Sequence, residues 1–405
     1  MLSHDRRDGQ TSFQMQDCPC CGSKEVREFF ESHLVPVDSG AVFGTKEEAM
    51  AMPIGPMHLT LCRTCGYIWN RAFEPGLVSY GRSYDISMHH SSIYQAFLEK
   101  TVNRLIDTYN LRDRSIVEIA CGSGQFLKLL CRLGGNKGFG IDPSAHSEGS
   151  EPCGAKTVTF IRDRYSEKYA QLEADMVCCR HVIEALPSPK DFLTMVRRIL
   201  GSRLNTKIYF ETQNSDYMYA GPIKWSFMYE FSVQLNPLSL SRLFAESGYR
   251  VLNAGPCYQD GQYAFIEAVP DDAPKSERPQ RFVASEEFIK RVERYSDKVK
   301  ESTHQWENTM TELRRTGKKV AGWGAGGRAG IFLSMFDPDR LIEYVVDINP
   351  LRQEKFMSVT GKRIVPPDFL RQYHPDVIIV MNPTYVNEIK GQVKEMGLRS
   401  EILSI

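Results

Sequence analysis

The sequence predicts an α/β protein in which two doubly wound sheets follow a small cysteine-rich unit at the amino terminus. Apolar runs with strand character alternate with helical patterns twice along the 405 residues, once before and once after a polar connector. A glycine-rich loop follows the first strand of each alternating stretch, and such loops occur where a parallel sheet binds a ligand at its carboxyl edge. Two cysteine pairs near the start indicate a metal-bound unit that needs little core of its own.

The pattern divides the chain into four segments. Residues 1–75 form the predicted zinc-binding domain, and residues 76–270 form the first α/β domain. Residues 271–316 contain a linker and one long charged helix from Glu286 to Arg315, and residues 317–405 form a second, Rossmann-like domain. The predicted strands are Ser115–Ala120, Gly138–Ile141, Asp175–Cys179, Lys207–Glu211, Gln262–Ala268, Lys319–Gly322, Ile342–Val346 and Val377–Met381.

Charge and cysteine content narrow the class of protein. Acidic and basic residues balance at 50 each, so no global field favours nucleic acid or a membrane surface. No apolar run approaches the ~20 residues that span a bilayer, and the polar amino terminus lacks the apolar segment of a secretory signal. The 11 cysteines are an odd number in a long chain, which favours the cytosol, with reduced thiols and any organised cysteines holding metal.

Four of the cysteines have the spacing of a structural metal site. Cys18 and Cys21 form one C-x-x-C pair and Cys62 and Cys65 form another, and a glycine follows each pair. The tight turn of such a pair directs both thiolates at one ion, and the glycine relieves the backbone where amides face sulfur. The sequence therefore predicts one structural zinc ion held by these four residues. The spacing of Cys20 to its neighbours does not suit this turn.

The most informative stretch is the strand and loop Ile116–Gln125, sequence IVEIACGSGQ, which leads into a helix predicted over Phe126–Leu133. A dinucleotide fold would place a third glycine at position 127, where this chain has Leu. An acid at the end of the next strand, Asp142, can accept both hydroxyls of a ribose. This combination resembles motif I of class I methyltransferases that use S-adenosylmethionine (SAM). The predicted SAM-binding residues are Glu118, Ala120, Gly122, Gly124 and Asp142, with Asp163 as a candidate for the adenine amine.

Nearly the whole chain resembles the nucleotide-sugar C-methyltransferases of deoxysugar biosynthesis. That family has an N-terminal zinc domain, a central SAM domain and a C-terminal Rossmann-like domain. The residues that carry the resemblance are the four cysteines, Tyr80–Asp85, the VEIACGSG loop, Arg180–Glu184, Trp225–Glu230, Gly322–Arg328 and Val346–Pro350. The resemblance implies SAM as cofactor and a small-molecule acceptor, with a nucleotide-sugar as the expected class.

In that family a base removes a proton beside the carbonyl of a 4-keto-6-deoxy sugar, and the enolate carbon takes the methyl group. The favoured base is the His of a Tyr-Glu-His triplet, and a second His commonly follows the Val-Ile-Glu run of motif IV. This chain retains Tyr229 and Glu230 but has Phe231 and Ala185 at the two histidine positions. Phenylalanine cannot accept a proton, so carbon methylation needs another base.

Three interpretations fit this loss. His181 or Tyr84 could replace the missing base, or the acceptor atom could be an oxygen or nitrogen that reacts largely through positioning. The third interpretation is a non-catalytic protein that retains the SAM site. The resemblance assigns Tyr84, His181, Tyr229 and Glu230 to the acceptor side and Trp225 to substrate binding, although a packing role for each also fits the sequence.

The carboxy-terminal segment contains its own fingerprint, Gly322-x-Gly324-x-x-Gly327, followed by Asp347 at the end of the next strand. Taken alone, this pattern predicts a bound dinucleotide and an NAD-dependent oxidoreductase. The family resemblance instead implies a module that helps to hold the nucleotide-sugar. Arg328, at the start of the following helix, could bind a diphosphate together with the free amides of that helix.

Overall fold

The computed structural model describes residues 17–78, 91–221, 225, 227–273, 282–337 and 340–405. The described strands are β1 (Val26–Pro36), β2 (Val42–Phe43), β3 (Ile54–Cys62), β4 (Ile68–Asn70), β5 (Ser115–Ile119), β6 (Lys137–Ile141), β7 (Gly149–Cys153), β8 (Lys156–Ile161), β9 (Met176–Arg180), β10 (Lys207–Gln213), β11 (Val233–Gln234), β12 (Tyr249–Cys257), β13 (Tyr263–Pro270), β14 (Val320–Trp323), β15 (Ile342–Val346), β16 (Phe356–Met357), β17 (Arg363–Val365), β18 (Val377–Val380) and β19 (Glu401–Ser404).

The described helices are α1 (Lys46–Met50), α2 (Ser92–Tyr109), α3 (Gln125–Gly134), α4 (Pro189–Leu200), α5 (Ser215–Tyr219), α6 (Pro237–Glu246), α7 (Glu286–Glu293), α8 (Tyr295–Arg315), α9 (Gly327–Phe336), α10 (Leu370–Tyr373) and α11 (Val386–Glu395). Short 3₁₀ turns lie at Pro75–Leu77, Glu167–Tyr169, Ile183–Ala185, Gln259–Gly261, Pro367–Phe369 and Pro383–Tyr385. Within the part of the chain that the structure describes, no helix is both long enough and apolar enough to cross a membrane.

The central sheet has eight strands in the order β12-β13-β10-β9-β5-β6-β8-β7. Strands β8, β6, β5, β9 and β10 run parallel, and β13, β12 and β7 pair antiparallel at the two sides. The chain leaves β5 in one direction for β6 and β8, then returns to β9 on the other side, so strand order reverses between β5 and β9. Ligands of open α/β sheets bind at such a point, outside the carboxyl ends of the strands.

A second sheet of seven strands has the order β19-β18-β14-β15-β17-β16-β2. Its strand order reverses between β14 and β18, both of which are fully buried, so the loops after these two strands meet at a second binding edge. The edge strand β2 comes from the amino-terminal segment and pairs antiparallel with β16, through Phe43 opposite Phe356. The amino-terminal segment is therefore joined to the carboxy-terminal sheet by backbone hydrogen bonds.

The remaining sheet has four strands in the order β1-β3-β4-β11. Its last strand, β11, lies in the chain between β10 and β12 of the central sheet, and it pairs Val233 with Trp69. The short strands β2 and β11 thus connect the amino-terminal segment to both larger sheets, an exchange that the sequence pattern did not predict. The domain boundaries at residues 75, 270 and 316 remain predictions.

The two α/β sheets confirm the predicted fold class, and each predicted strand is present with ends shifted by at most a few residues. The prediction of one long helix from Glu286 to Arg315 is wrong, because α7 and α8 are separated at Arg294, whose φ and ψ are −81° and −2°. Beyond this break, Tyr295 packs against Phe29 and Tyr219, with ring centroids 6.4 and 4.7 Å away. The break in the helix is thus accompanied by packing of Tyr295 on aromatic residues of β1 and α5, although the sequence pattern is helical on both sides.

Candidate functional site

The loop after β5 has a backbone that admits little besides small residues. Ala120, Gly122 and Gly124 all lie in the left-handed region, with φ of 54°, 54° and 74°. A Cβ atom on Gly124 would lie 2.3 Å from the ring of Phe160, so a side chain there would clash as well as strain the turn. The loop therefore exposes backbone, rather than side chains, at the carboxyl end of the central strand, where α3 begins.

Asp142 connects this loop to the next strand. It follows β6, is 7% exposed, and accepts hydrogen bonds at Oδ2 from the Gly122 amide (2.7 Å) and at Oδ1 from the Ser144 amide (2.6 Å). Each carboxylate oxygen has further lone pairs that can accept hydroxyl hydrogens. The structure thus brings together the loop and the acid that the sequence paired, at the point where strand order reverses.

Glu118 lies just before the loop, inside β5, and is only 3% exposed. Its Oε2 has no hydrogen-bond partner among the described residues, and burial raises the pKa of this carboxyl to about 8. A buried polar atom without a partner is costly, which makes it an indicator of a missing ligand or ion. A cationic or hydrogen-bonding ligand beside the loop would satisfy this carboxylate.

Asp163 follows β8, the next parallel strand after β6, and so lies along the same carboxyl edge. Its carboxylate accepts hydrogen bonds from Lys168 and from the Tyr169 hydroxyl, and these lower the pKa of Asp163 to about 2. The group is partly exposed and ionised, with one carboxylate oxygen engaged by both neighbours. It can accept a further hydrogen bond from an amine at this edge.

His181 follows β9, on the other side of the reversal point from the glycine loop. Its backbone has φ of 56°, a strained value for a residue with a Cβ atom, and its side chain is 14% exposed. Nε2 lies 2.9 Å from Glu211 Oε1 and Nδ1 lies 3.7 Å from Glu184 Oε1. Burial disfavours the charged imidazole, but the two carboxylates outweigh burial and raise the pKa of His181 above its usual value.

The carboxylate of Glu211 is the centre of a cluster with Arg180, His181 and Glu184, which is called the His181 group below. It is fully buried, lies 2.9 Å from Arg180 Nη2, and accepts a hydrogen bond from the Tyr209 hydroxyl (2.8 Å). Burial disfavours its charge, yet Arg180 and His181 hold the pKa of Glu211 at about 2. Arg180 also lies over the ring of Phe126, the second residue of α3, at 4.4 Å. The His181 group is therefore packed directly against the helix that begins at the glycine loop.

The retained pair Tyr229 and Glu230 is fully buried, and its contacts come from the amino-terminal segment. The Tyr229 hydroxyl accepts a hydrogen bond from the Glu74 amide (2.9 Å). Glu230 Oε1 accepts a hydrogen bond from Ser39 Oγ (2.7 Å), and burial raises the pKa of Glu230 to about 7. Tyr84 and the rest of Tyr80–Asp85 lie outside the described residues.

Trp225 is completely buried, and its ring packs on Phe227 and on Phe336 at centroid distances of 5.8 and 4.9 Å. These contacts place the indole ring in the core between the first α/β domain and α9. The sequence allowed either a core or a substrate-contacting position for this residue, and the observed surroundings are those of the core.

Phe231 and Ala185, the two positions where the resembling family has histidine, lie close together. Ser232, next to Phe231, donates a hydrogen bond from Oγ to the carbonyl of Glu184 (3.2 Å) and lies 2.6 Å from the carbonyl of Leu186. Both substitutions therefore act on one region beside the His181 group. With Phe231 and Ala185, this region has no imidazole at either of the two positions.

The four predicted metal ligands converge on one point. Cys18 Sγ lies 3.7 Å from Cys65 Sγ, Cys21 Sγ lies 3.7 Å from Cys62 Sγ, and all four sulfur atoms lie within 4.8 Å of one another. Four sulfurs placed tetrahedrally at the zinc–sulfur distance of ~2.3 Å would be separated by roughly 3.8 Å. The cluster thus has the geometry to hold a metal ion, and Cys20 is not one of its four members.

The carboxy-terminal fingerprint is packed against other parts of the chain. A Cβ atom on Gly327 would lie 2.6 Å from Met228 Sδ and 2.7 Å from Ser39 Oγ. Asp347 accepts a hydrogen bond from the Ala325 amide (2.9 Å), much as Asp142 binds the first loop. Gly327 is therefore packed closely against the protein itself, which is the part that the third glycine has in such a fingerprint.

Arg328 lies at the second reversal point, in the first turn of α9. It is 7% exposed, and its Nη1 donates a hydrogen bond to Asn382 Oδ1 (2.9 Å), in the loop after β18. Among the described residues, Arg328 forms no ion pair with a carboxylate. A nearly buried guanidinium that meets a neutral amide, beside a helix amino terminus, is suited to an anion.

The sequence did not predict Arg180, Glu211, Tyr258 or Tyr385 as site residues. Arg180 ends β9, and Glu211 lies opposite it near the end of the neighbouring parallel strand β10, a position that was a signal that could have found both residues. Tyr258 and Tyr385 are hydrogen-bonded through their hydroxyls (2.6 Å) although 127 residues separate them. No local pattern marks that pair.

Comparison with known proteins adds two matches along the chain. Residues 90–254 match the family model described as a methyltransferase domain, and residues 271–400 match the model described as a C-methyltransferase C-terminal domain. No curated protein matches the chain. Among solved structures, the magnesium protoporphyrin IX methyltransferase of Synechocystis PCC 6803 with bound SAM is 16% identical, over 44% of this chain and 80% of that chain, with a TM-score of 0.32. The 1,6-didemethyltoxoflavin-N1-methyltransferase of Burkholderia thailandensis is 12% identical, over 45% and 82%, with a TM-score of 0.33.

The methyltransferase match covers the part of the central sheet that bears the glycine loop, Asp142 and the His181 group. The second match begins in the connector and covers the part of the second sheet that bears Arg328. The two matches agree with the site geometry and with the order of the two sheets along the chain. This chain is a SAM-dependent methyltransferase.

Proposed function

We propose that the enzyme transfers the methyl group of SAM to a small-molecule acceptor at the carboxyl edge of the central sheet. The observation that carries the proposal is the loop after β5, where Asp142 binds the Gly122 amide and Glu118 Oε2 is buried without a hydrogen-bond partner among the described residues. SAM supplies an electrophilic methyl group there. The residues proposed to hold it are Glu118, Ala120, Gly122, Gly124, Asp142 and Asp163.

The proposed acceptor is a nucleotide-linked sugar or a related small metabolite. The match to a C-methyltransferase C-terminal domain over residues 271–400 supports transfer to carbon. Phe231 and Ala185 support the other possibility, an oxygen or nitrogen acceptor, because neither can remove a proton from carbon. The class of acceptor and the atom methylated are separate parts of the proposal, and one product analysis tests both.

His181 is the proposed base. It follows β9 beside the glycine loop, and its Nε2 lies 2.9 Å from Glu211 Oε1 in a buried site. A neutral imidazole can take a proton from the acceptor, and the Glu184 and Glu211 carboxylates stabilise the imidazolium that results. We also propose that the acceptor side of the site includes Tyr84, Tyr229 and Glu230. The last two belong to the segment that contains Phe231.

Two further assignments complete the proposal. Arg328 and the amino terminus of α9 bind the diphosphate of the acceptor, since Arg328 is nearly buried and meets only a neutral amide in Asn382. Trp225 supports that side of the site from within the core. Zn²⁺ is the metal proposed for the four cysteines, because a closed set of four thiolates is the ligand set of structural zinc.

The test of this function is turnover with a defined acceptor. The full chain is incubated with methyl-labelled SAM and thymidine-diphosphate-linked 4-keto-6-deoxyglucose, and release of S-adenosylhomocysteine and the labelled product are measured by mass spectrometry. We expect one labelled methyl group per S-adenosylhomocysteine, and NMR of the product identifies the methylated atom. If the protein binds SAM but transfers no methyl group to this sugar or to its hydroxyl and amine analogues, the proposed activity is wrong. The interpretation of a non-catalytic SAM-binding protein would then remain.

His181→Asn is expected to lower kcat by about 100-fold or more, the usual contribution of a positioned base, with little change in SAM affinity. Because the pKa of His181 is raised and the base form is the neutral ring, the wild-type rate should increase as pH rises through that pKa. His304→Asn is the control, since His304 is exposed on α8 and pairs with Glu307. Equal rates for His181→Asn and His304→Asn would reduce His181 to a packing residue.

Binding of SAM should be linked to proton release from Glu118. Burial raises the pKa of this carboxyl to about 8, so it is mostly protonated at pH 7 without ligand. A cationic ligand favours the carboxylate and lowers its pKa, so SAM affinity should rise with pH up to about 8, by at most about tenfold per pH unit. Calorimetry in two buffers of different ionisation enthalpy measures the released proton.

Glu118→Gln should abolish this proton release. Glu230→Gln is the matched control, because burial also raises the pKa of Glu230, to about 7, in a region whose contacts come from Ser39. If proton release persists in Glu118→Gln and disappears in Glu230→Gln, the cationic ligand does not bind beside the glycine loop, and the proposed SAM site is wrong.

A further inference from the structure

The turn between β12 and β13 has a strained backbone. Tyr258, Gln259 and Asp260 have φ of 55°, 23° and 51°, three consecutive residues with side chains in a region that favours glycine. Each such residue costs about 1–3 kcal/mol, and the conformation persists only where surrounding contacts impose it. The contacts that hold this turn therefore indicate what the turn is for.

Two of these contacts come from the carboxy-terminal sheet. The Tyr258 and Tyr385 hydroxyls lie 2.6 Å apart, and Thr384 Oγ1 donates a hydrogen bond to Gln262 Oε1 (2.9 Å). Within the central domain, Asn214 Nδ2 donates to the Gly261 carbonyl (2.8 Å). The segment Asn382–Tyr385, which follows β18 and is called the β18 loop here, thus helps to hold the turn in its strained form.

The turn between β12 and β13 also packs on the His181 group. The Tyr258 ring stacks on Tyr263, with centroids 5.0 Å apart and planes inclined by 13°. Tyr263 meets the His181 ring edge to face at 4.4 Å. Tyr258 also contacts Tyr94 at 5.5 Å, and the Tyr94 hydroxyl accepts a hydrogen bond from Arg180 (2.8 Å). A continuous path of rings therefore joins the β18 loop to the residue after β9.

The β18 loop also contains Asn382, the hydrogen-bond partner of Arg328. The β18 loop thus contacts two sites. One is the guanidinium of Arg328, where the strand order of the second sheet reverses, and the other is the strained turn of the central sheet. The strained turn therefore lies where residues of the two sheets are in contact. A hairpin turn with glycine at these positions would join β12 and β13 without strain.

We propose that Tyr385 is a positioning residue for the acceptor side of the active site. Its hydroxyl holds Tyr258, the turn holds Tyr263, and Tyr263 fixes the orientation of the His181 ring. The carboxy-terminal domain thereby completes the wall of the methyl-transfer site, and its β18 loop sets the position of the base. The role of His181 as base rests on the proposed function, whereas the coupling from Tyr385 to His181 is a property of the protein alone.

The test uses the full chain saturated with S-adenosylhomocysteine and needs no acceptor. Selective ¹³C labelling gives ring signals for the nine histidines, and His181→Asn assigns the signal of His181. Tyr385→Phe removes only the hydroxyl, and we expect it to shift the His181 ring signal because the ring current of Tyr263 changes with the position of the turn. Amide exchange in residues 257–263 should become about three- to tenfold faster, the effect of one lost hydrogen bond.

Tyr373→Phe is the matched control, because Tyr373 belongs to the same domain but packs on Tyr344 at 5.1 Å, away from the β18 loop. Tyr258→Phe removes the other half of the hydroxyl pair and should reproduce the shift of Tyr385→Phe, and the double variant should add nothing further. An unchanged His181 signal and unchanged exchange in both Tyr385→Phe and Tyr258→Phe would overturn the proposal. If the shifts occur but the nucleotide-sugar is not methylated, the coupling stands and the proposed acceptor fails.

Discussion

Asp142→Ala is expected to weaken SAM binding by at least about 100-fold, with the fold retained. The substitution removes the carboxylate that would bind the ribose hydroxyls, and charge-assisted hydrogen bonds contribute about 1.5–3 kcal/mol each. It also releases the Gly122 and Ser144 amides, so the loop that surrounds the ligand becomes less ordered. Calorimetric titration with SAM measures the loss, and circular dichroism checks that the variant is folded.

Asp347→Ala is a closely matched control for this experiment. Asp347 follows β15 as Asp142 follows β6, and it accepts hydrogen bonds from the Ala325 and Asn349 amides in the same arrangement. SAM affinity should be almost unchanged in this variant, because Asp347 binds the loop after β14 and not the glycine loop after β5. A greater loss in Asp347→Ala than in Asp142→Ala would place the adenosyl ligand in the carboxy-terminal domain and contradict the proposed site.

The elements and the cofactor loop could be predicted because each depends on contiguous residues. The strand before Gly122, the turn and the acid at Asp142 all lie within a short stretch, and pattern and spacing locate them. The cysteine pairs are similar, since two local turns define the ligands and folding needs only to bring the pairs together. In both cases, local sequence determines the chemistry, and the fold adds proximity.

The rest of the site depends on pairs of residues that are distant in the chain. The contact between Glu230 and Ser39 spans 191 residues, and that between Tyr258 and Tyr385 spans 127. The strand β2 has two residues, too few for a period-two pattern, yet it joins the amino-terminal segment to the other end of the chain. The break at Arg294 is likewise accompanied by tertiary contacts of Tyr295, which a helical periodicity cannot show.

Removal of the metal should have the largest effect on stability. Cys65→Ser is expected to abolish stoichiometric zinc binding and to lower the thermal midpoint by about 10 °C or more, because structural zinc can supply on the order of 10 kcal/mol of folding free energy. The loss should extend beyond the amino-terminal sheet, since Cys62 and Cys65 belong to the same apolar cluster as Ile183 and Leu193 of the central domain. Elemental analysis of the purified variant measures the metal, and calorimetry measures the midpoint.

Cys20→Ser is the control that separates ligation from burial. Cys20 is completely buried beside the cluster but is not one of its four members, so its loss should cost packing and leave one zinc per chain. In Cys65→Ser, the pairing of β4 with β11 should weaken, and Ser232, next to β11, should then hold the Glu184 carbonyl less firmly. The His181 ring signal should therefore shift in Cys65→Ser and remain in place in Cys20→Ser. Full zinc content in Cys65→Ser, or equal loss of zinc in both variants, would contradict the four-cysteine site.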